Sequence, residues 1–205
     1  MRTSLRRVYP ALAGLTLGVA CLTATPALRA QTASLAGQLL VATPELDDPH
    51  FDHTVVYMLR HDGDGAMGLV VNRPLGDVPL AALLDGAGLD SAGAAGTIRL
   101  HAGGPVETTR VFVLHTDDYA ASGTLRVGRG LAFTWQAEIL RALAAGAGPR
   151  RAVFTLGYAG WGPGQLEGEL RAGHWVSVPP DAGVVFDDAD PTKWQRAFDR
   201  RRISL

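Results

Sequence analysis

A single cysteine, Cys21, and a single lysine, Lys193, are all that 205 residues hold of either type. One thiol excludes an internal disulfide and any paired-cysteine metal or redox motif. Serine lacks its catalytic setting, since neither Ser91 nor Ser122 lies in a Gly-x-Ser-x-Gly turn. No Gly-Lys-Ser/Thr completes the glycine block Gly157-Tyr158-Ala159-Gly160-Trp161-Gly162-Pro163-Gly164, which excludes a phosphate-cradling nucleotide loop. The glycine spacing in that block also differs from the dinucleotide fingerprint. Asp62-Gly63-Asp64-Gly65 opens like a calcium loop, but Met67 stands where that loop needs glycine and no glutamate closes it. A turn is the expected reading there. Excess charge is lacking too, with 19 basic against 20 acidic residues and no basic stripe suited to a phosphate backbone. The dominance of arginine over lysine reads as genomic base composition.

The one long apolar run, Val8 to Ala24, follows a basic start at Arg2, Arg6 and Arg7 and leads through small residues to Leu28-Arg29-Ala30. That order predicts a secretory signal over residues 1–30, cleaved after Ala30, with Ala27 a second chemically reasonable cleavage point. The run is short for a membrane span, and Pro10 and Pro26 bracket it, so an anchor helix is the lesser reading. A lipoprotein anchored through Cys21 is an alternative, although Gly18 holds the position where leucine is usual and Leu17 lies one place off. Cleavage removes four arginines and no acids, leaving residues 31–205 with 15 basic and 20 acidic side chains and a net charge of −5. A mature chain without cysteine is indifferent to an oxidising compartment. Its length suits one domain, and no repeat or low-complexity block interrupts it.

Periodicity predicts more strand than helix. Strands are expected at Leu35–Thr43, Thr54–Arg60 and Ala66–Asn72, the last two joined as a hairpin through the Asp-Gly turn. Further strands are expected at Thr97–His101, Arg110–His115, Leu125–Val127, Ala152–Tyr158, Trp175–Val178 and Val184–Phe186. Helices are expected at Pro79–Leu84, from an N-cap at Thr134 through Ala145, at Gly164–Arg171 and at Pro191–Arg202. The Ala/Gly-rich Leu84 to Gly96 reads as a loop. Because strands mostly follow strands, the pattern predicts an α+β fold with a curved, largely antiparallel sheet.

Several polar groups are candidates for a site. His50, Asp52 and His53, beside Asp47 and Asp48, have metal-ligand character, yet on an extended strand the two histidines point to opposite faces. A polar loop is the preferred reading. Asn72-Arg73-Pro74 ends an apolar strand, and the Arg73 fork suits a carboxylate or phosphate; alternatively both side chains hold loop backbone around Gly103-Gly104-Pro105. His101, Glu107, Arg110 and His115 surround that turn, and a histidine with a carboxylate suits acid–base chemistry. The block from Gly157 to Gly164 either offers amides to an anion or permits a tight turn under the aromatic plugs Tyr158 and Trp161. Gln165 and Glu169 share a helix face, Glu167 points elsewhere, and all three read as solvated.

Three blocks, Val41 to Pro74, GGPVET at Gly103 to Thr108, and GYAGWGPGQLEGEL at Gly157 to Leu170, together resemble the YqgE/AlgH family in order and spacing, over Leu39 to Phe198. His61 fits that family's Tyr-x-x-x-His pattern through Tyr57. The resemblance implies a single α+β domain over residues 31–205, with a bifurcated sheet rolled into a partial barrel, and a label of transcriptional regulation. The chain departs in carrying a signal peptide, against the cytosolic setting expected of the family, and in ending at Leu205 without the family's further C-terminal segment. The expected function is a non-enzymatic binding or regulatory module of the cell envelope, periplasmic or secreted, with no catalytic set, cofactor or metal. It would take a small anionic ligand or an envelope protein through Asn72, Arg73, Gly103, Gly104, Glu107, His115, Tyr158, Trp161 and Gln165. The alternatives are a hydrolase using His115 or His101 with Glu107, or a transcription-related regulator if the chain stays in the cytosol. Net acidity argues against nucleic acid.

Overall fold

The structure, a computed structural model, describes residues 33–203; the expected leader, its expected cleavage site and Cys21 lie outside the described residues. The first strand, β1 (Leu39–Ala42), is buried on both faces, which its unbroken Leu-Leu-Val-Ala run requires. The hairpin follows as β2 (Val55–Asp62) and β3 (Gly65–Val70), pairing antiparallel from Val56–Val70 to Asp62–Gly65 with a bulge between Met58 and Arg60. The Asp62 carboxylate accepts the Asp64 amide at 2.9 Å, so the acidic sequence here serves the turn itself.

Next come β4 (Pro74–Pro79), helix α1 (Leu80–Gly86), β5 (Thr97–Ala102), β6 (Val106–Thr116), β7 (Leu125–Gly128) and β8 (Leu131–Thr134). The chain closes with α2 (Glu138–Ala144), β9 (Ala152–Trp161), α3 (Gln165–Arg171), β10 (Trp175–Val178), α4 (Ala182–Phe186), α5 (Asp190–Asp199) and a 3-10 turn at Arg200–Ile203. No described helix is long and apolar enough to cross a membrane.

Four differences from the sequence reading have local causes. Strand β4 has proline at both ends and pairs only with β5, the edge position where a residue without an N–H is tolerated. Thr134 ends strand β8, fully buried, instead of capping a helix. The glycine block continues β9 as far as Trp161 instead of looping. Val184–Phe186 is helical because the Asp181 carboxylate caps the amides of Gly183 and Val184 at 2.9 and 3.0 Å.

The strands run in the order β10-β1-β2-β3-β9-β6-β8-β7, with β5 branching from β9 and carrying β4. Every pairing is antiparallel except β5 with β9. Alternate residues separate the core by face. Leu39, Val41, Tyr57, Phe112 and Leu114 pack together on the inner face with Val184, Val185 and Ala197 of α4 and α5. Leu40, Ala42, Val56 and Met58 face the other way, against Trp161, Trp175 and Leu166 of α3. A third cluster joins Leu80 and Leu84 of α1 to Ile139 and Leu140 of α2 over Leu100, Val113 and Phe154. The sheet curls far enough for the Tyr57 hydroxyl to donate to the Val127 carbonyl at 2.6 Å, linking β2 to β7 across the seam. Burial pushes the Tyr57 phenol up to about 12. The described residues therefore form one α+β domain built on a curled, forked half-barrel sheet.

Candidate functional site

The fork in the sheet is the first feature that the sequence motifs build. Strand β9 pairs through Ala159–Trp161 with β3 and through Phe154–Leu156 with β5, so two strands diverge along one edge of β9. Gly103 fills the crotch: its carbonyl accepts the Val70 amide at 3.0 Å and its amide donates to the Leu156 carbonyl at 2.8 Å. A Cβ on Gly103 would lie 2.2 Å from the Gly157 carbonyl oxygen, and one on Gly104 2.2 Å from the Tyr158 carbonyl carbon. Only glycine admits backbones this close. The GGPVET and GYAGW blocks thus meet here as a structural joint.

Asn72 and Arg73 flank the same joint but serve another segment. Arg73's carbonyl accepts the Ala102 amide at 2.8 Å, beside the glycine turn as expected. Its guanidinium turns away, donating to the carbonyls of Asp52 at 2.6 Å and Pro49 at 3.4 Å. Asn72 accepts the Val55 amide and donates to the His53 carbonyl, both at 2.9 Å. The loop that these two side chains hold is therefore the 49–55 segment, not the Gly103-Gly104-Pro105 turn. Within that loop His50 pairs with Asp48 at 3.1 Å and His53 packs on the Trp194 ring at 4.3 Å. Among the described residues no group of three or more His, Cys, Asp or Glu side chains converges as a metal site.

The remaining candidates do not converge. His115 is fully buried; its Nδ1 donates to the Thr116 carbonyl at 2.8 Å and its Nε2 accepts from Thr134 at 2.9 Å. Glu107 instead pairs with Arg110 at 3.0 Å on the surface, so neither His115 nor His101 meets it. Tyr158 packs edge-on against Phe112 on the inner face, whereas Trp161 belongs to the outer cluster with Phe51 and Trp175. Gln165 is exposed, as expected, but Glu167 and Glu169 are half-buried and hold partners within the chain. Glu169 Oε2 accepts both indole N–H groups, Trp161 at 2.9 Å and Trp175 at 2.8 Å, while Oε1 accepts Gln165 at 2.9 Å. Glu167 meets His61 Nε2 at 3.3 Å, and His61 Nδ1 accepts the Leu35 amide at 3.0 Å. His61 thus pins the segment before β1.

Sequence reasoning missed a buried charge cluster. Lys193 on α5 is 0% exposed and directs its ammonium at Val71 O (2.8 Å), Asp190 Oδ1 (3.0 Å) and Val185 O (3.4 Å). Three acceptors use all three of its protons. Asp190 Oδ1 also faces His101 Nε2 at 3.2 Å, and Oδ2 lies 3.7 Å from Arg99. His101 Nδ1 lies 3.4 Å from the Phe154 carbonyl, so both ring nitrogens point inward at acceptors. Burial pushes the His101 imidazole below its usual range, against the pull of Asp190. The available signal was composition: the sole lysine of an arginine-rich chain stands where a compact ammonium, not a planar fork, is needed. Above the cluster lies a polar cleft of about 330 Å³ bordered by Asp77, Arg99, Phe186, Asp187 and Asp188.

A second concavity, about 400 Å³, lies between α1 and α2 and is mainly apolar. Leu100, Val113, Ile139 and Leu140 form its buried floor, and Arg110, with its side chain 47% exposed, stands at the mouth.

Comparison with known proteins places this architecture. A family model described as AlgH-like (DUF179) matches residues 39–205, and the chain belongs to that family. A UPF0301 protein of Rhodospirillum rubrum is 44% identical over 169 residues, covering 82% of this chain and 88% of the relative. One from Methylococcus capsulatus is 42% identical over 173 residues, covering 84% and 94%. The solution structure of the AlgH protein from Pseudomonas aeruginosa superposes with a TM-score of 0.70 at 39% identity, over 84% of this chain and 90% of that one. A crystal structure from Corynebacterium diphtheriae shares the fold alone, with a TM-score of 0.62 at 20% identity over 80% and 86% of the two chains. None of these names states a biochemical activity.

Proposed function

We propose that the mature chain, residues 31–205, is an exported binding module without catalysis of its own. It takes a small anionic ligand or an envelope protein at the pocket between α1 and α2. The observation that carries the reading is a division of labour among polar groups. Asn72, Arg73, His61, His115, Glu169 and Lys193 are all committed to the chain's own backbone or core. The α1–α2 pocket instead combines an apolar floor with an exposed arginine, the composition of a ligand site. Export is supported by the Arg-flanked apolar leader and its small-residue cleavage site. A direct role in transcription has little electrostatic support from a mature net charge of −5.

The test is purification from the native host's envelope fraction, with intact mass measured and co-purifying molecules identified without bias. The expected mass begins at Gln31, and the expected co-purifying species is lost when Ala82→Trp fills the pocket mouth. A full-length cytosolic chain would remove the export half of the proposal, and turnover of any retained species would remove the non-enzymatic half.

A further inference from the structure

The α1–α2 pocket changes character from floor to mouth. Leu100, Ile139 and Leu140 at the floor are 7%, 1% and 3% exposed, while the mouth is open and carries a permanently charged guanidinium. Arg110 sits in the irregular stretch of β6 between Val106 and Val111, where pairing with β9 lapses, and its guanidinium carbon lies 5.4 Å from the Phe112 ring centroid. Among the described residues its only hydrogen-bond acceptor is Glu107, through Nη1. Nε and Nη2 make no hydrogen bond among the described residues. Both partners of that ion pair are about half exposed, and such a pair is readily exchanged for another carboxylate because its net worth is small. Its ion-pair partner Glu107 is one of two non-glycine residues at positive φ among the described residues, at +50°. Strained backbone of this kind concentrates at ligand-holding segments.

Resting on the binding-module reading, we infer that the pocket's ligand is an amphipathic monocarboxylate, its apolar chain between α1 and α2 and its carboxylate on the Arg110 fork. The apolar floor rejects a second charge, because burying an unpaired ion is costly. A cationic head group would meet Arg110 as a like charge, and a neutral one would leave the fork's bidentate capacity unused. A pocket of this volume falls in the range that encloses a small molecule.

The probe is decanoate below its micellar concentration, titrated calorimetrically into residues 31–205, alongside decanol and decylammonium. Wild type should bind decanoate and ignore decylammonium. Arg110→Gln should weaken decanoate by about ten- to a hundredfold while leaving decanol unchanged, the loss expected for hydrogen bonds to a charged group. Ala82→Trp, on the exposed face of α1, should abolish both without changing the melting temperature. Equal binding of all three probes would show an apolar gap without head-group selection and overturn the inference. A dimer abolished by Ala82→Trp would assign the pocket to a second copy, with the same result. If wild type ignores decanoate yet retains an envelope ligand that Ala82→Trp loses, the module reading stands and the carboxylate falls.

Discussion

The Lys193 ammonium lies 3.0 Å from the Asp190 carboxylate, and neither side chain is more than 3% exposed. The pair joins α5 to the core because the same ammonium donates to the Val71 carbonyl, 122 positions earlier in the chain. Removing one partner of a buried pair strands the other charge, so Lys193→Met should cost about 3–5 kcal/mol in chemical denaturation. Lys193→Arg should also destabilise, by about 1–3 kcal/mol, since a longer planar fork overfills a site shaped for an ammonium. A neutral Lys193→Met would show that the pair is not closed to water.

Asn72 and Arg73 should act through stability. Asn72→Ala leaves the Val55 amide and the His53 carbonyl unpaired and should cost about 1–3 kcal/mol. Arg73→Ala loses bonds to exposed carbonyls and should cost about 1 kcal/mol. Thermal melts with and without envelope anions check both. An unchanged Arg73→Ala melting point, with anion-induced stabilisation lost, would make Arg73 a ligand group instead.

Glycine substitutions should divide by location. Gly104→Ala places a Cβ 2.2 Å from Tyr158 backbone at φ +147° and should cost more than about 3 kcal/mol. Gly168→Ala, inside α3 with nothing within 4 Å, should stabilise by about 0.5–1 kcal/mol. Urea midpoints of the two variants should therefore move in opposite directions.

Acid should weaken the fold before any carboxylate titrates. Burial depresses both His101 and His115, so the folded chain binds their protons less readily than the unfolded one. Below the ordinary histidine value of about 6.5 the unfolded state takes up more protons, and stability falls with pH until the folded values are passed. Urea midpoints should drop between pH 7.5 and 5, and His115→Asn should flatten the slope. Asp118 continues the trend at lower pH: the Thr116 hydroxyl and then Arg150 hold it at about 2, so its stabilisation is lost as pH falls from its ordinary value towards that point.

Duplex DNA should not bind at physiological salt, because 19 basic against 20 acidic residues, with no basic stripe, release too few counterions. Salt-sensitive, sub-micromolar binding in a filter or anisotropy assay would contradict this.

Much of the secondary structure was legible because its cause is local. The Asp-Gly turn and flanking β-branched runs announce the β2–β3 hairpin, and β10 is found at the expected residues. The errors fall where local pattern is ambiguous. Pro74 and Pro79 disguise β4 as a loop, and Thr134 looks like a cap because its burial depends on His115 and Thr124, distant in the chain. Asp181 in front of Ala182 was a readable cap for α4, overlooked because three apolar residues resemble a strand.

The sequence by itself determined the family, the alternation that sorts each strand's side chains to two faces, and the glycines that allow β9 and the Gly103 turn to touch. These are properties of near neighbours, or of what a residue lacks. Only the tertiary structure decided which polar groups meet. Glu107 goes to Arg110 and not to a histidine, Asn72 and Arg73 go to the 49–55 loop, and Lys193 goes to Val71 and Asp190. The α1–α2 pocket is likewise assembled from segments spread between Ala82 and Leu156. A buried donor must find an acceptor wherever the closed sheet brings one, and that distance is set by strand order and curl rather than by spacing along the chain.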